Sequence, residues 1–166
     1  MNEQAKFWIE RLGLAPHPEG GFYRETYASS EKIRAGCLPS RFAGDRVFST
    51  AIYFLLEGRQ VSKFHRIQSD ELWHFYDGHP LTLHLIDPAG AHSEIKLGRT
   101  GDGSEQPQAV VPAGCWMGAS LAVPTGFALA GCTVSPGFDF QDFEMASRAD
   151  LVRTFPALRH VIDRLT

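Results

Sequence analysis

The residues between Gln60 and Glu71 carry the side chains of this sequence that are best suited to proton transfer. If residues 60–67 form a strand, its two-residue period places Lys63 and His65 on one face, and Glu71 follows on the next strand. Histidine has the side-chain pKa closest to neutrality, and a neighbouring carboxylate can orient its ring. This combination predicts general acid–base chemistry, with His65 and Glu71 as catalytic residues and Lys63 as a ligand-binding residue.

The same two residues also fit a structural interpretation. A buried pair of His65 and Glu71 could be two polar groups that satisfy each other and do no chemistry. Substitution of the histidine separates the two interpretations. A catalytic base would lose activity and keep its fold, whereas a structural partner would lose stability.

A second concentration of polar side chains lies in residues 16–27, around the pair Gly20-Gly21. The two glycines allow close backbone approach or a positive φ, as a turn into an edge strand requires. A turn does not need the polar side chains beside it, so we interpret this block as a lid or rim of a ligand site, which a partner subunit could share. Arg24 could bind a carboxylate or phosphate through its planar fork. The ligand-binding candidates of this block are His17, Glu19, Tyr23 and Arg24.

The elements that must position these residues are mainly strands. Short apolar or alternating runs, separated by turn signals, are typical of a β-sandwich or barrel. The predicted strands are 48–56, 61–65, 72–76, 81–87, 94–97, 109–111, 115–122, 127–134 and 138–143. Apolar residues at helical spacing predict a short helix over 2–12, and Ser147 begins a helical segment over 147–165. We expect one all-β domain over residues 1–166, with the barrel at about 20–145.

Composition excludes several classes of protein. The 16 lysines and arginines against 19 aspartates and glutamates give a net charge of −3, which does not indicate a protein that binds nucleic acid. No stretch resembles a membrane-spanning helix, and the beginning of the sequence lacks the apolar region of a secretory signal. Three cysteines without CxxC spacing fit a reducing compartment, so we expect a cytoplasmic protein.

Two segments resemble the motifs of the cupin superfamily. In GRQVSKFHRIQSDELWHFYDG, residues 58–78, His65, Glu71 and Gly78 match the first motif, in which histidines are followed by a glutamate and a glycine. The segment PAGCWM, residues 112–117, resembles the second motif, Pro-x-Gly-x-x-His. The resemblance implies a double-stranded β-helix, the jelly-roll barrel of the cupins, which turns the face of His65 inward.

Four longer blocks, residues 14–27, 65–74, 111–114 and 131–140, resemble the uncharacterised cupin family 5, which is similar in fold to dTDP-sugar epimerase cupins. Those epimerases use a histidine of the first motif as a base, without metal, together with a tyrosine acid. The resemblance therefore implies a base role for His65. The candidate acids are Tyr23, Tyr53 and Tyr76. Cupins host many unrelated reactions, so family membership leaves the substrate open.

The sequence departs from the metal-binding cupin pattern at two positions. Ile67 stands where the second histidine of the first motif belongs, and Met117 stands where the histidine of the second motif belongs. Neither side chain can replace imidazole as a ligand of iron, manganese or zinc. We therefore expect no cofactor, although a divalent metal held by His65 and Glu71 is the alternative. Cys115 lies two residues before Met117, so the two side chains face the same side of a strand. We expect both residues, together with Trp73, to line the ligand pocket.

The sequence thus predicts a protein that binds a small polar or anionic metabolite, such as a sugar or sugar nucleotide, and isomerises or epimerises it without metal. Two alternatives stay open: a metal-dependent cupin enzyme and a non-catalytic binding barrel. We also expect a homodimer, because strand 81–87 carries apolar residues on both faces and an exposed apolar patch often marks an interface.

Overall fold

The computed structural model describes residues 2–99, 101 and 103–166. Most of the described secondary structure is β. The strands are β1 (Ala15–Pro16), β2 (Phe22–Ala28), β3 (Lys32–Ile33), β4 (Arg46–Val47), β5 (Thr50–Glu57), β6 (Val61–Arg66), β7 (Asp70–Gly78), β8 (Leu81–Ile86), β9 (His92–Leu97), β10 (Gln108–Val111), β11 (Trp116–Leu121), β12 (Phe127–Ser135) and β13 (Glu144–Met145). The helices are α1 (Glu3–Leu12), α2 (Arg148–Thr154) and α3 (Arg159–Ile162), and 3-10 turns occur at Ala35–Cys37, Phe140–Asp142 and Pro156–Leu158.

Two antiparallel sheets form the barrel. One has six strands in the order β1-β2-β5-β12-β7-β10, and the other has five in the order β13-β6-β11-β8-β9. Their inward side chains form the main core, which includes Phe54, Trp73, Leu83 and Met117. This mostly-β architecture of two sheets with short terminal helices confirms the predicted fold class.

Helices cover the outer faces of both sheets. The side chain of Asn2 caps α1 by accepting from the backbone N–H groups of Gln4 and Ala5, and α1 ends at Gly13 with a φ of 61°. This helix packs outside the six-stranded sheet. The Ser147 side chain caps α2, and the C-terminal helices pack on the five-stranded sheet. No helix among the described residues is long and apolar enough to cross a membrane.

The apolar residues on both faces of β8 are buried by the chain itself. Leu81, Leu83 and Leu85 lie in the core between the sheets, and Ile86 lies under the C-terminal helices. The strand therefore has no exposed apolar patch of the kind from which a homodimer was predicted. The homodimer stays a prediction, which light scattering tests.

The segment after β12 differs from the predicted strand over 138–143. It forms the 3-10 turn Phe140–Asp142, which the Asp139 side chain caps by accepting from Gln141 N–H. Asp142 is buried and bound by Arg46, with Nε–Oδ2 and Nη2–Oδ1 distances of 2.6 Å each. This bidentate ion pair attaches the segment to the barrel, so its closely spaced phenylalanines serve as a wall rather than a strand.

Candidate active site

A cavity of about 270 Å³ opens between the two sheets. Strands β2, β5, β6, β7 and β12 contribute to its wall, together with the loop before β2 and the segment after β12. Most of the wall is aromatic or aliphatic. The lining residues are His17, Glu19, Tyr23, Glu25, Thr50, Ile52, Phe54, His65, Ile67, Glu71, Trp73, Cys132, Val134, Phe138, Phe140 and Phe143.

Glu19 reaches the cavity because the loop that carries it lies directly against β6. The backbone carbonyl of Glu19 accepts from Lys63 N–H at 2.8 Å. Gly20 has a φ of 110°, and a Cβ at this position would overlap the carbonyl oxygen of Val61. Only glycine allows this close approach without strain. The Gly20-Gly21 pair in the sequence therefore marks the point where the loop docks on the barrel.

The Glu19 carboxylate forms a buried ion pair with His65. Its Oε2 lies 3.0 Å from His65 Nε2, and its Oε1 accepts from the Ser62 hydroxyl at 2.9 Å. The Nδ1 atom of His65 lies 2.8 Å from the carbonyl oxygen of Lys63, which can only accept. Both ring nitrogens of His65 therefore carry protons, and the imidazole is a cation bound between a carbonyl and a carboxylate.

Burial opposes this charge, but the neighbouring carboxylate outweighs it. Burial alone would lower the pKa of His65, whereas the charge and hydrogen bond of Glu19 raise that pKa to about 9. Burial alone would likewise raise the pKa of Glu19, but the charge and hydrogen bond of His65 hold it below its ordinary value. At neutral pH the pair is therefore ionised on both sides.

Glu71 is the second buried carboxyl group of the cavity, and its protonation differs from that of Glu19. Burial raises the pKa of Glu71 to about 7, although the charge of His65 partly opposes the shift. The Cys132 thiol is hydrogen-bonded to Glu71, and burial raises the pKa of that thiol well above its usual range. Glu71 is therefore the group in this cluster that changes charge near neutral pH.

His17 completes the polar side of the cavity as a neutral ring. Its Nδ1 accepts from the backbone N–H of Glu19 at 3.3 Å and lies 3.6 Å from Glu19 Oε2. The rings of Tyr23 and Phe54 meet it edge to face, with centroid distances of 4.4 and 6.0 Å. Burial lowers the pKa of His17. Since Nδ1 is an acceptor, the ring proton is on Nε2.

Six of the residues predicted for the site line this cavity: His17, Glu19, Tyr23, His65, Glu71 and Trp73. The structure therefore brings the block at residues 16–27 and the first cupin motif together within one chain. The direct partner of His65 is Glu19, however, and not Glu71 as the motif suggested.

Lys63 does not face the cavity, contrary to the prediction from strand parity. In the pairing of β6 with β11, His65 lies opposite Met117 while Ser62 lies opposite Ala119, so β6 has one extra residue between these points. This bulge reverses the facing of the intervening residues. The Lys63 side chain is exposed, and Phe64 packs under the C-terminal helices.

Three other predicted ligand-binding residues also lie outside the cavity wall. Arg24 is exposed on the outer face of β2, with its guanidinium 5.8 Å from the centre of the Tyr53 ring, because Tyr23 and Glu25 occupy the inward positions of that strand. Cys115 and Met117 are buried in the core between the sheets, below the cavity lining.

Of the candidate tyrosines, only Tyr23 lines the cavity. Tyr53 and Tyr76 meet edge to face at 6.0 Å and border a separate surface groove with Trp8. His74 is also absent from the wall, since its ring bonds the Thr133 hydroxyl and Gln108.

Several wall residues were missed by the sequence analysis. Glu25 has the same parity as Tyr23, and Cys132 lies opposite Trp73 in the pairing of β12 with β7, so strand pairing would have found both. The phenylalanines of the segment after β12 had no such signal, because a strand was predicted there. These are Phe138, Phe140 and Phe143.

The barrel residues do not fit the metal site of a metal-binding cupin. Ile67 lines the cavity where a second histidine would project, and Met117 is packed in the core. The Nε2 atom of His65 is protonated toward Glu19 and offers no lone pair to a metal. Within the described residues, no three metal-ligand atoms of the barrel interior come together, although one such set lies on the outer face of a sheet.

Structures of two other proteins are similar to this one over nearly the whole chain. A Shewanella oneidensis protein is 39% identical, with a TM-score of 0.88 and coverage of 98% of this chain and 96% of the other. A hypothetical protein from Leishmania major is 36% identical, with a TM-score of 0.88 and coverage of 98% of each chain. No functionally curated protein matches this sequence.

A more distant likeness concerns the fold alone. Oxalate decarboxylase from Bacillus subtilis, which has Mn(II) centres, is 13% identical, with a TM-score of 0.55 over 91% of this chain and 37% of the other. Residues 6–146 match the family described as Cupin superfamily (DUF985). The chain therefore belongs to this family, cupin family 5, and its two-sheet barrel is a cupin fold.

Proposed function

We propose that the cavity binds a small carbonyl compound with an apolar body and moves a proton at the carbon next to the carbonyl, without a metal. Such a reaction is an isomerisation or an epimerisation. The observation that carries the proposal is Glu71, a buried carboxyl group in the cavity wall with a pKa of about 7.

The cavity wall supports a small ligand that is largely apolar. The cavity volume of about 270 Å³ is slightly below the range of about 300–1,000 Å³ that is usual for pockets of drug-sized ligands. The described lining contains three carboxyl groups, those of Glu19, Glu25 and Glu71, and no lysine or arginine, because Lys63 and Arg24 face away. An anionic metabolite or a sugar nucleotide, the class expected from the sequence, is less well supported than an uncharged one.

Glu71 is the group best suited to be the base. A general base is most effective when its pKa lies near the operating pH, because it is then both available and strong enough. His65 has the opposite property, since with a pKa of about 9 it is already protonated at neutral pH. The base role that the epimerase resemblance implied for His65 is therefore better assigned to Glu71, and His65 serves as a fixed positive charge beside it.

One N–H group of the wall is available to a carbonyl oxygen. The contact of His17 with Glu19 is made by Nδ1. The Nε2–H of the same ring has no hydrogen-bond partner among the described residues. The indole Nε1–H of Trp73 also lacks a partner in the described part of the chain, but this atom is fully buried and is not exposed to the cavity. N–H donors held in a site from which water is excluded stabilise the negative charge that develops on a carbonyl oxygen.

The proton balance of the proposed reaction is simple. The Glu71 carboxylate takes a proton from the substrate carbon, and the electron pair moves to the carbonyl oxygen, which the Nε2–H of His17 stabilises. Glu71 then returns the proton to the same carbon after the planar intermediate has turned over in the cavity, which inverts that carbon. In an α-hydroxy carbonyl compound Glu71 can instead return the proton to the former carbonyl carbon, while the hydroxyl proton passes to the former carbonyl oxygen. Neither an oxidant nor a metal enters the balance.

Hydrogen exchange tests the proposal directly. The metal-depleted protein is incubated in D₂O with a panel of small ketones and aldehydes, and deuterium at the carbon next to the carbonyl is followed by NMR. We expect catalysed exchange with wild-type protein and a loss of at least about 100-fold in Glu71→Gln, the lower end of the usual contribution of a general base. Glu25→Gln is the matched control, because Glu25 is at the cavity rim and outside the proposed machinery.

The outcomes distinguish the alternatives. Exchange that requires added metal would indicate a metal-dependent cupin. Ligand binding without exchange, equal in the wild type and Glu71→Gln, would indicate a non-catalytic barrel. Equal loss in Glu71→Gln and Glu25→Gln would assign the effect to the charge of the pocket and not to a base.

A further inference from the structure

The outer face of the five-stranded sheet holds a second cluster of polar side chains, none of which lines the cavity. His84 lies on β8, and His92 and Glu94 lie on β9. His84 pairs directly with Glu94, and His92 is two residues away on the same strand, so all three project from one face. One potential metal-ligand atom from each residue lies within 4.8 Å of the other two.

Two ring nitrogens of this cluster are buried. They are Nδ1 of His84 and Nε2 of His92, and Nε2 of His92 has no hydrogen-bond partner among the described residues. The His84 Nδ1 faces Glu94 Oε1 at a distance of 3.1 Å. The two rings are parallel, with centroids 5.9 Å apart. Buried polar atoms in folded proteins nearly always have a partner, so this arrangement indicates a ligand that binds between the rings and the carboxylate.

We propose that His84, His92 and Glu94 form a binding site for Zn²⁺. Two imidazoles and one carboxylate are an established donor set for zinc with one position left for water. In a tetrahedral site the ligand atoms would be about 3.4 Å apart, so a modest closure from 4.8 Å is sufficient. The Glu94 side chain is 52% exposed, which gives the ion a route from solvent and leaves the carboxylate free to adjust.

Arg164 competes with the metal for His84. Its Nη2 lies 2.9 Å from His84 Nε2. A guanidinium can only donate, so Nε2 is the acceptor and Nδ1 carries the ring proton in the metal-free protein. Zinc binding at Nδ1 therefore moves the ring proton to Nε2, where the Ser120 hydroxyl, 3.0 Å away, can accept it. The ring stays neutral, and the exposed Arg164 side chain turns into solvent.

Because zinc binding requires this proton shift on His84, Arg164 is a determinant of zinc affinity although Arg164 is not itself a ligand. Removing the guanidinium frees Nε2 for the proton and also removes a positive charge close to the ion. Arg164→Gln is therefore expected to bind Zn²⁺ several-fold more tightly than the wild type. A purely structural role of Arg164 would instead make its removal neutral or harmful for zinc binding.

Calorimetric titration of the full chain with Zn²⁺, after treatment with EDTA, tests the site. We expect one ion per chain with a dissociation constant that is roughly micromolar. His92→Gln and Glu94→Gln should weaken binding by about tenfold or more, because each removes one of three ligands. These variants are preferred over substitution of His84, whose burial makes misfolding a risk. His74→Gln, a histidine of the other sheet, is the matched control and should leave the affinity unchanged.

Other results would overturn the proposal. Zinc binding that is equal in the wild type and His92→Gln places the ion elsewhere, and absence of binding at millimolar zinc excludes the site. Weaker binding in Arg164→Gln, with an unchanged melting temperature, contradicts the proton shift. If His65→Gln abolishes binding while His92→Gln preserves it, the ion belongs to the barrel, and the metal-independent function proposed above fails as well. Absence of zinc at both positions overturns only the outer site.

Discussion

The carboxylate of Glu19 and the imidazole of His65 form a buried ion pair, with 3.0 Å between Oε2 and Nε2. The two residues come from different parts of the fold, a loop before β2 and the strand β6. Each charge is retained inside the barrel because the other is present, and Ser62 and the Lys63 carbonyl complete the hydrogen bonds. The pair therefore connects the N-terminal loop to the barrel and also places its two charges in the cavity wall.

The first prediction concerns removal of one member of this pair. His65→Asn should lower the free energy of unfolding by about 3–5 kcal/mol, because it leaves the Glu19 carboxylate buried without a countercharge. Urea denaturation measures the change. The double variant Glu19→Gln/His65→Asn, which leaves no unpaired charge, should recover part of the loss. A single variant within about 1 kcal/mol of wild type would show that the pair contributes little.

Stability should fall as the pH rises from about 6.5 to about 9, whereas below about 6.5 the pKa values of His84 and His17, which burial lowers, oppose the effect of Glu71. The pKa of Glu71 is raised from 4.5 to about 7 on folding, so the folded carboxyl keeps a proton that the unfolded chain loses between these two pH values. The pKa of His65 is raised from 6.5 to about 9, and its stabilising charge is fully present below 6.5 and lost as the pH passes 9. Within its own pH window, each of these two groups lowers the free energy of unfolding as the pH rises, by at most about 1.4 kcal/mol per pH unit.

Melting temperatures across this pH range test the two windows separately. Glu71→Gln should make stability below about pH 7 rise more steeply with pH than in the wild type, and it should leave the fall in the upper window in place, because His65 still titrates there. A wild-type melting temperature that is constant from about pH 6.5 to about pH 9 would contradict the raised pKa of His65. Below the lower window stability falls as the pH falls, since the pKa of Glu19 is lowered and its stabilising charge is lost in acid.

The pH dependence of the proposed exchange reaction should be bell-shaped. The rate should rise through about pH 7 as Glu71 becomes an available base, and it should decline above about pH 9 as His65 loses its charge. Initial exchange rates at saturating ligand measure the profile. A rising limb near pH 4.5, the ordinary value for glutamate, would exclude buried Glu71 as the base.

The docking of the N-terminal loop depends on Gly20. Gly20→Ala places a side chain at a φ of 110° and against the Val61 carbonyl, so we expect a loss of at least about 1–3 kcal/mol of stability. The variant should also displace Glu19 and lower the pKa of His65 toward its ordinary value, which histidine NMR titration would detect. Gly36→Ala is the control, because a Cβ at Gly36 meets no atom within 4 Å. Equal effects of the two variants would contradict the docking role.

Much of the fold follows from local features of the sequence. Asn2 and Ser147 begin helices because their side chains accept from the free N–H groups of the first turn, and Gly13 ends α1 in the left-handed conformation that glycine adopts easily. The alternating apolar runs identified eight of the barrel strands to within a few residues, because each strand buries one face against the core. The cupin motif likewise identified His65 and Glu71 as cavity residues.

Three features of the site were decided only by the tertiary structure. Strand parity could not reveal the bulge that turns Lys63 outward, because a single extra residue is absorbed by the pairing with β11 and leaves no mark in the sequence. The wall formed after β12 depends on the buried contact of Asp142 with Arg46, which are distant in the chain.

The third feature is the chemistry itself. The sequence determined that a histidine and a glutamate belong to the site, since their types and spacing match a motif. It did not determine which of them is protonated, because the pKa of a buried group depends on its desolvation and on the charges packed beside it. Only the folded chain brings Glu19 to His65, and that contact makes the histidine a cation at neutral pH and leaves Glu71 as the group that titrates near neutral pH.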